Sequence, residues 1–270
     1  MTNDPTPQHA SPKIDTTVPN SARVWNYWLG GKDNYQVDRE AAEEYVKTFP
    51  GIVEIARTSR YFMVRAVRFL AGEQGVRQFL DVGTGLPTVD NTHEVAQRVA
   101  PEARVAYVDN DALVLAHARA LLTSSPHGRT DYIDANMREP AKILAAAAET
   151  LDLTRPVALM LIQVLGHVAV DDEVESIVRG LLAGLAPGSY MVISDGVDVA
   201  NEQLAAALRS YNDSGAAAYR LRFPDQIAAL FNGLEIVEPG VVRVSRWRPE
   251  IEPLSPPADV ETLGAVGRKP

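Results

Sequence analysis

The chain has 270 residues, of which 46% are hydrophobic, a formal net charge of -9 and no cysteine. The missing thiols exclude disulfides, thiolate metal sites and a cysteine nucleophile, and the acidic balance opposes a nucleic-acid partner unless a local basic patch offsets it. No run approaches the ~18 apolar residues of a membrane span and no apolar signal stretch opens the chain, so a cytoplasmic protein without a membrane partner is expected. One domain is expected, because a single core accommodates roughly 250 to 300 residues.

Met1 to Pro19 is rich in Pro, Thr, Asn and Ser and reads as a disordered tail. Residues 20–75 read as a helical cap or lid, and 76–270 as the core of the same domain. Trp25, Tyr27, Trp28 and Tyr35 crowd around Gly30-Gly31-Lys32-Asp33-Asn34. Aromatics this dense suit either a pocket wall or a staple that holds an N-terminal helix to the core. Helices are predicted at 38–48 and 53–71. In the second, Arg57, Arg60, Arg65 and Arg68 fall along one side, opposite Ile52, Ile55, Met63, Ala66, Val67 and Leu70, and read as a solvated face.

Strands and helices then alternate as in a doubly wound α/β sheet. Strands are predicted at 77–82, 105–109, 130–133, 157–162 and 189–194, with helices at 92–99, 112–122, 141–149 and from Asp171 to the Pro187-Gly188 stop. The continuous apolar run at 157–162 suits a strand buried on both faces. Helices at 201–214 and 224–231 lead to closing strands at 241–247 and 262–267, joined through Pro249, Pro253, Pro256 and Pro257. A segment so rich in proline cannot pair as a central strand, so the closing pair reads as an antiparallel hairpin on the sheet edge.

The chemistry concentrates at Phe79-Leu80-Asp81-Val82-Gly83-Thr84-Gly85 and Val105-Ala106-Tyr107-Val108-Asp109. An apolar strand running into a glycine turn, followed by a second strand that ends in a carboxylate about 20 residues on, is how a parallel sheet builds an adenosine site. Gly83 and Gly85 allow the sharp turn and a close approach of ligand to backbone, and Asp109 can accept from both ribose hydroxyls. A dinucleotide fingerprint wants a third glycine where Thr88 stands. Losing it removes a pyrophosphate contact, which S-adenosylmethionine does not need, and the edge hairpin likewise disfavours a nicotinamide domain.

The run from Pro19 to Tyr35, the segments Gly83-Thr84-Gly85-Leu86-Pro87-Thr88 and Asn91-Thr92-His93-Glu94-Val95-Ala96-Gln97, Val108-Asp109-Asn110-Asp111, 235–249 and the closing Gly264 to Pro270 together resemble an actinobacterial family of S-adenosylmethionine-dependent methyltransferases whose members largely lack an assigned substrate. The resemblance implies a three-layer, Rossmann-like, seven-stranded α/β fold with an antiparallel C-terminal hairpin and extra N-terminal helices. It also implies S-adenosylmethionine as cofactor.

In such a fold Gly83, Thr84 and Gly85 run beside the methionine moiety, Asp109 holds the ribose, Asp134 meets the adenine amine, Gln163 lies near the sulfonium, and Asp81, Asn110 and Ala135 are further cofactor-binding candidates. His93 and Glu94 invite a zinc reading, but Gln97 occupies the second ligand position, so no metal is expected. Both are expected instead to line the pocket at a helix N-terminus. His167 is the candidate general base because its reference pKa of about 6.5 suits proton transfer near neutrality, with Tyr27, Asp33 and Tyr35 as rival pocket residues. The adenine-N6 signature Asn-Pro-Pro-Tyr is absent, and cytosine-C5 chemistry needs a cysteine.

The expected reaction is methyl transfer to an oxygen or nitrogen of a small molecule, with no nucleic-acid partner, and a homodimer is compatible with the sequence. A non-catalytic sensor of the cofactor and, more remotely, an NAD-dependent oxidoreductase are the alternatives.

Overall fold

The computed structural model describes residues 14–121, 123–249 and 259–270. Most of the expected N-terminal tail and most of the proline-rich connection lie outside the described residues.

The strands are β1 (Gln78–Val82), β2 (Arg104–Asp109), β3 (Arg129–Asp134), β4 (Ala158–Ile162), β5 (Tyr190–Gly196), β6 (Glu235–Ile236), β7 (Val242–Arg243) and β8 (Thr262–Arg268). They form one eight-stranded sheet in the order β3-β2-β1-β4-β5-β8-β6, with β7 also on β8. The first five strands run parallel, and β8 is antiparallel to β5, β6 and β7.

Side chains alternate along these strands, so each strand feeds two cores. Phe79, Val105, Tyr107, Ala158 and Met160 enter one apolar cluster, and Leu80, Val82, Ala106, Val108, Leu159 and Leu161 enter the other. The first face is covered by α1 (Ser21–Trp28), α2 (Gln36–Thr48), α3 (Ile52–Arg68), α4 (Thr92–Val99) and α8 (Glu202–Asp213). The second is covered by α6 (Pro140–Ala147) and α7 (Asp171–Ala183), while α5 (Ala112–Leu121) packs on β2 and β3, and α9 (Pro224–Ala229) precedes the edge strands. Among the described residues no helix is long and apolar enough to cross a membrane.

Two expectations need correction. The strand predicted at 241–247 is only the two-residue β7, followed by a 3-10 turn at Val244–Arg246, and the separate β6 pairs with the other end of β8. The cause is tertiary. Arg65 donates to the Trp247 and Val244 carbonyls at 2.8 and 2.6 Å, and the Trp247 ring packs edge-on against Phe62 and Phe69. Those carbonyls are taken by Arg65 of α3 and cannot extend a ladder. The same contacts split the expected arginine face. Arg57 and Arg68 are exposed, whereas Arg65 ties down the closing segment and Arg60 donates to the Val89 carbonyl at 3.0 Å.

The N-terminal helices are fastened by a single carboxylate. Asp38, wholly buried, accepts from the Asn20 and Tyr35 amides at 2.9 and 2.8 Å and lies 2.8 Å from Arg23 Nε, itself buried. Arg23 also donates to the carbonyls of Asp15 and Val18. Removing one partner of a buried ion pair strands the other charge, at a cost of about 3–5 kcal/mol. Asp38→Ala is therefore expected to lower the urea-unfolding free energy by at least ~3 kcal/mol, and a loss of under ~1 kcal/mol would remove Asp38 from this role.

Candidate active site

The strand order reverses between β1 and β4, and a crevice opens outside the carboxyl ends of the strands at such a point. Here it is a cavity of about 540 Å³, within the range of small-molecule sites. Its floor comes from the segments that follow β1, β2, β3, β4 and β5, and its roof from α1, α2, α3 and α8.

At the β1 end, Gly83 and Gly85 have φ of +74° and +66°. A Cβ on Gly83 would meet Val164 at 2.2 Å, so the turn packs against the segment after β4. No atom lies within 4 Å of where a Gly85 Cβ would stand, which leaves that backbone open to a ligand. The Gly85 amide donates to Asp109 Oδ2 at 3.0 Å and the Asp111 amide to Oδ1 at 2.9 Å. Burial pushes the Asp109 carboxyl up from its ordinary value. Asn20 Nδ2 donates to Asp111 Oδ2 at 2.5 Å, which brings α1 onto the same edge. Asp81, beneath the turn, accepts from Thr92 Oγ1 at 2.6 Å, and burial raises its pKa to about 6.

The opposite end is built on Gln163 and Tyr219. Gln163 has a φ of +56°, unusual for a residue with a side chain and a form of strain that gathers at functional sites. Its side chain reaches Ser59 Oγ at 3.0 Å and the Tyr219 hydroxyl at 3.1 Å. That hydroxyl also meets Asp195 Oδ1, while Asp195 Oδ2 is buried without a partner. Burial raises the Asp195 pKa to about 7.

His167 lies edge-on to the Tyr219 ring, centroids 5.1 Å apart, and its Nδ1 is 3.0 Å from the Ala218 carbonyl. A carbonyl only accepts, so Nδ1 carries the proton and Nε2 of the neutral ring keeps a lone pair. Burial lowers the His167 pKa, which holds the ring neutral at physiological pH.

Of the residues expected from sequence, Asp81, Gly83, Thr84, Gly85, Asp109, Asn110, Ala135, Gln163 and His167 all line the cavity. Tyr27, Asp33, Tyr35 and Asp134 do not. Positions Ala22, Trp25, Asn26 and Leu29 share the inner stripe of α1, and helical spacing turns Tyr27 away from it, to donate to Glu43 at 2.9 Å. Asp33 faces His117 at 3.9 Å. Asp134 ends β3 exposed, and the next residues, Ala135 and Asn136, reach the cavity in its place. His93 and Glu94 also miss the cavity: His93 is buried against the Tyr107 hydroxyl, and Glu94 accepts from the Asn91 amide as a helix cap. Sequence reading missed Tyr219, Asp195, Tyr45 and Tyr211, which no local motif marks. It also passed over Asp111, although the Asp109-Asn110-Asp111 run marks it.

Residues 7–270 match the protein family described as S-adenosyl methyltransferase. The chain belongs to that family. It is similar to a DUF574 family protein of Streptomyces avermitilis, with 45% identity and a TM-score of 0.90 over 96% of this chain and 100% of that one. A candidate methyltransferase of Thermobifida fusca shares 42% identity and a TM-score of 0.87, over 96% of this chain and 97% of its own. The mitomycin 7-O-methyltransferase, at 16% identity, shares the fold with a TM-score of 0.51 over 81% of this chain and 56% of its own. Comparison with curated proteins returns no match.

S-adenosylmethionine is the cofactor of this S-adenosyl methyltransferase family member, and the cavity fits it. The open backbone at Gly85 and the Asp109 carboxylate, each of whose oxygens accepts one backbone amide and keeps a lone pair, suit an adenosyl ligand. Asp195 supplies a separate test of the site's electrostatics. An unfolded aspartate titrates near 3.9, so between about pH 4 and pH 7 the folded chain holds a proton that the unfolded chain has lost, and stability falls as pH rises. Asp81 acts in the same direction up to about pH 6. Asp195→Asn is expected to gain on the wild type by roughly 3 kcal/mol between about pH 4.5 and 8 in urea unfolding. A pH-independent difference would contradict the buried-proton assignment.

Proposed function

We propose that this methyltransferase transfers the methyl group to an oxygen or nitrogen of a small molecule, with His167 as the general base. The cofactor would be held by Asp81, Gly83, Thr84, Gly85, Asp109, Asn110, Ala135 and Gln163. The supporting observation is the neutral His167 ring, proton on Nδ1 and lone pair on Nε2, in the same cavity as Gly85 and Asp109. When bound, S-adenosylmethionine supplies an electrophilic methyl on a sulfonium that leaves as a neutral thioether. The protein's share is to align the acceptor and to take its proton. Asp109 would fix the ribose end, and the Gly83–Gly85 backbone would pass close to the methionine end.

Asp109→Ala is expected to weaken S-adenosylmethionine binding at least tenfold in isothermal titration, with the fold intact by circular dichroism. Unchanged affinity would sink the ribose assignment. His167→Gln is expected to cut product formation with a small-molecule acceptor by roughly 10²- to 10⁴-fold while cofactor affinity stays within about twofold. The acid limb of the wild-type kcat/KM profile is expected below pH 6.5, since burial lowers the His167 pKa from that value. Full activity in the variant would remove His167 from catalysis. Tight cofactor binding with no S-adenosylhomocysteine formed across acceptors would instead favour a sensor of the cofactor.

A further inference from the structure

The cavity is larger than its Gly85–Asp109 end requires, and the rest has a distinct chemistry. Under α1, α2 and α8, Trp28, Tyr45 and Tyr211 pack on one another as an aromatic wall: Trp28 and Tyr45 centroids lie 5.2 Å apart at 65°, and Tyr45 and Tyr211 6.0 Å apart at 73°. All three line the cavity, with Ile55, Leu204 and Leu208 beside them.

Two observations define what this wall accepts. Tyr45 and Tyr211 are 6% and 8% exposed and line the cavity, and neither hydroxyl is among the polar atoms sealed off without a partner, so both are open to the cavity. An occupant that displaces water from them has to offer an oxygen or nitrogen in its place. Secondly, none of the side chains that α1, α2 and α8 place on the cavity wall is charged. A charged occupant at this end would be desolvated without a counter-charge beside it.

We infer that the α1–α2–α8 end of the cavity is the methyl-acceptor subsite, and that its occupant is an uncharged, flat aromatic molecule with a hydroxyl at the reacting end and a hydrogen-bonding oxygen at the far end. This rests on the methyl-transfer reading above. The far oxygen meets Tyr45 and Tyr211, and the reacting hydroxyl lies beside His167 and Tyr219. The acceptor oxygen forms its bond to the methyl carbon as the carbon–sulfur bond breaks, the electron pair leaves on sulfur as the thioether, and the hydroxyl proton passes to His167 Nε2. Tyr219 is a positioning residue, its hydroxyl oriented by Gln163 and Asp195.

The test uses the full chain saturated with S-adenosylhomocysteine and titrated with four probes: 2-naphthol, 2,6-dihydroxynaphthalene, 2-naphthoate and protonated 2-naphthylmethylamine. Both neutral probes are expected to bind at least tenfold tighter than either charged one. The second hydroxyl is expected to add at least threefold in affinity, and this gain is expected to vanish in the Tyr45→Phe/Tyr211→Phe double variant. Charged probes binding as well as neutral ones, no naphthalene binding at all, or a second-hydroxyl gain that is absent from the wild type or survives in the variant would each overturn the inference. S-adenosylhomocysteine failing to bind would instead strike the cofactor site, and with it the methyl-transfer reading.

Discussion

The carboxylate of Asp38 is the constraint on which the site depends. With no exposure to solvent, it accepts from the amides of Asn20 and Tyr35 and neutralises Arg23. Those contacts set where α1 begins and where α2 begins. Because Asn20 caps α1, the inner stripe of that helix places Trp25 and Leu29 over the cavity, and the Asn20 side-chain amide reaches Asp111 beyond β2. One buried charge thus couples the helical roof to the strand ends that line the cavity. Buried ion pairs add little net stability, but breaking one is costly, which suits a contact that fixes geometry.

The sheet supplies the other half. Five parallel strands with apolar residues on both faces place their carboxyl ends on one edge, and the reversal between β1 and β4 leaves the gap there. The polar groups at this edge divide into two sets. Asp109 and Asp111 stand beside the glycine turn at one end, while Gln163, Tyr219, Asp195 and His167 form a connected cluster at the other. Burial shifts pKa values in both sets, upward for Asp109 in the first, and in the second towards a retained proton on Asp195 and a neutral ring on His167. The proposed methyl transfer assigns the first set to the cofactor and the second to proton transfer.

How much of this was legible in sequence followed from the range of each interaction. The β1 turn and Asp109 were legible because a glycine turn and a strand-end carboxylate are local patterns with a fixed interval. The buried strand β4 was legible from its continuous apolar run. The split of the closing strand was not, because it depends on Arg65 reaching the Val244 carbonyl from 179 residues away. Tyr219 joins Gln163 across 56 residues and stands in an alanine-rich stretch without a motif. Tyr27 was misplaced for a local reason: its neighbours Trp25 and Trp28 look equivalent in composition, and only the helical phase separates them. Asp134 stopped one residue short of the segment that turns into the cavity.

The most direct test of the whole account is isothermal titration of the purified chain with S-adenosylmethionine, S-adenosylhomocysteine and NAD in parallel. The account predicts micromolar binding of both adenosyl ligands and none of NAD, because it assigns the ribose to Asp109 and the open glycine turn lacks the third glycine that a pyrophosphate needs. Binding of NAD in place of the adenosyl ligands would contradict the account.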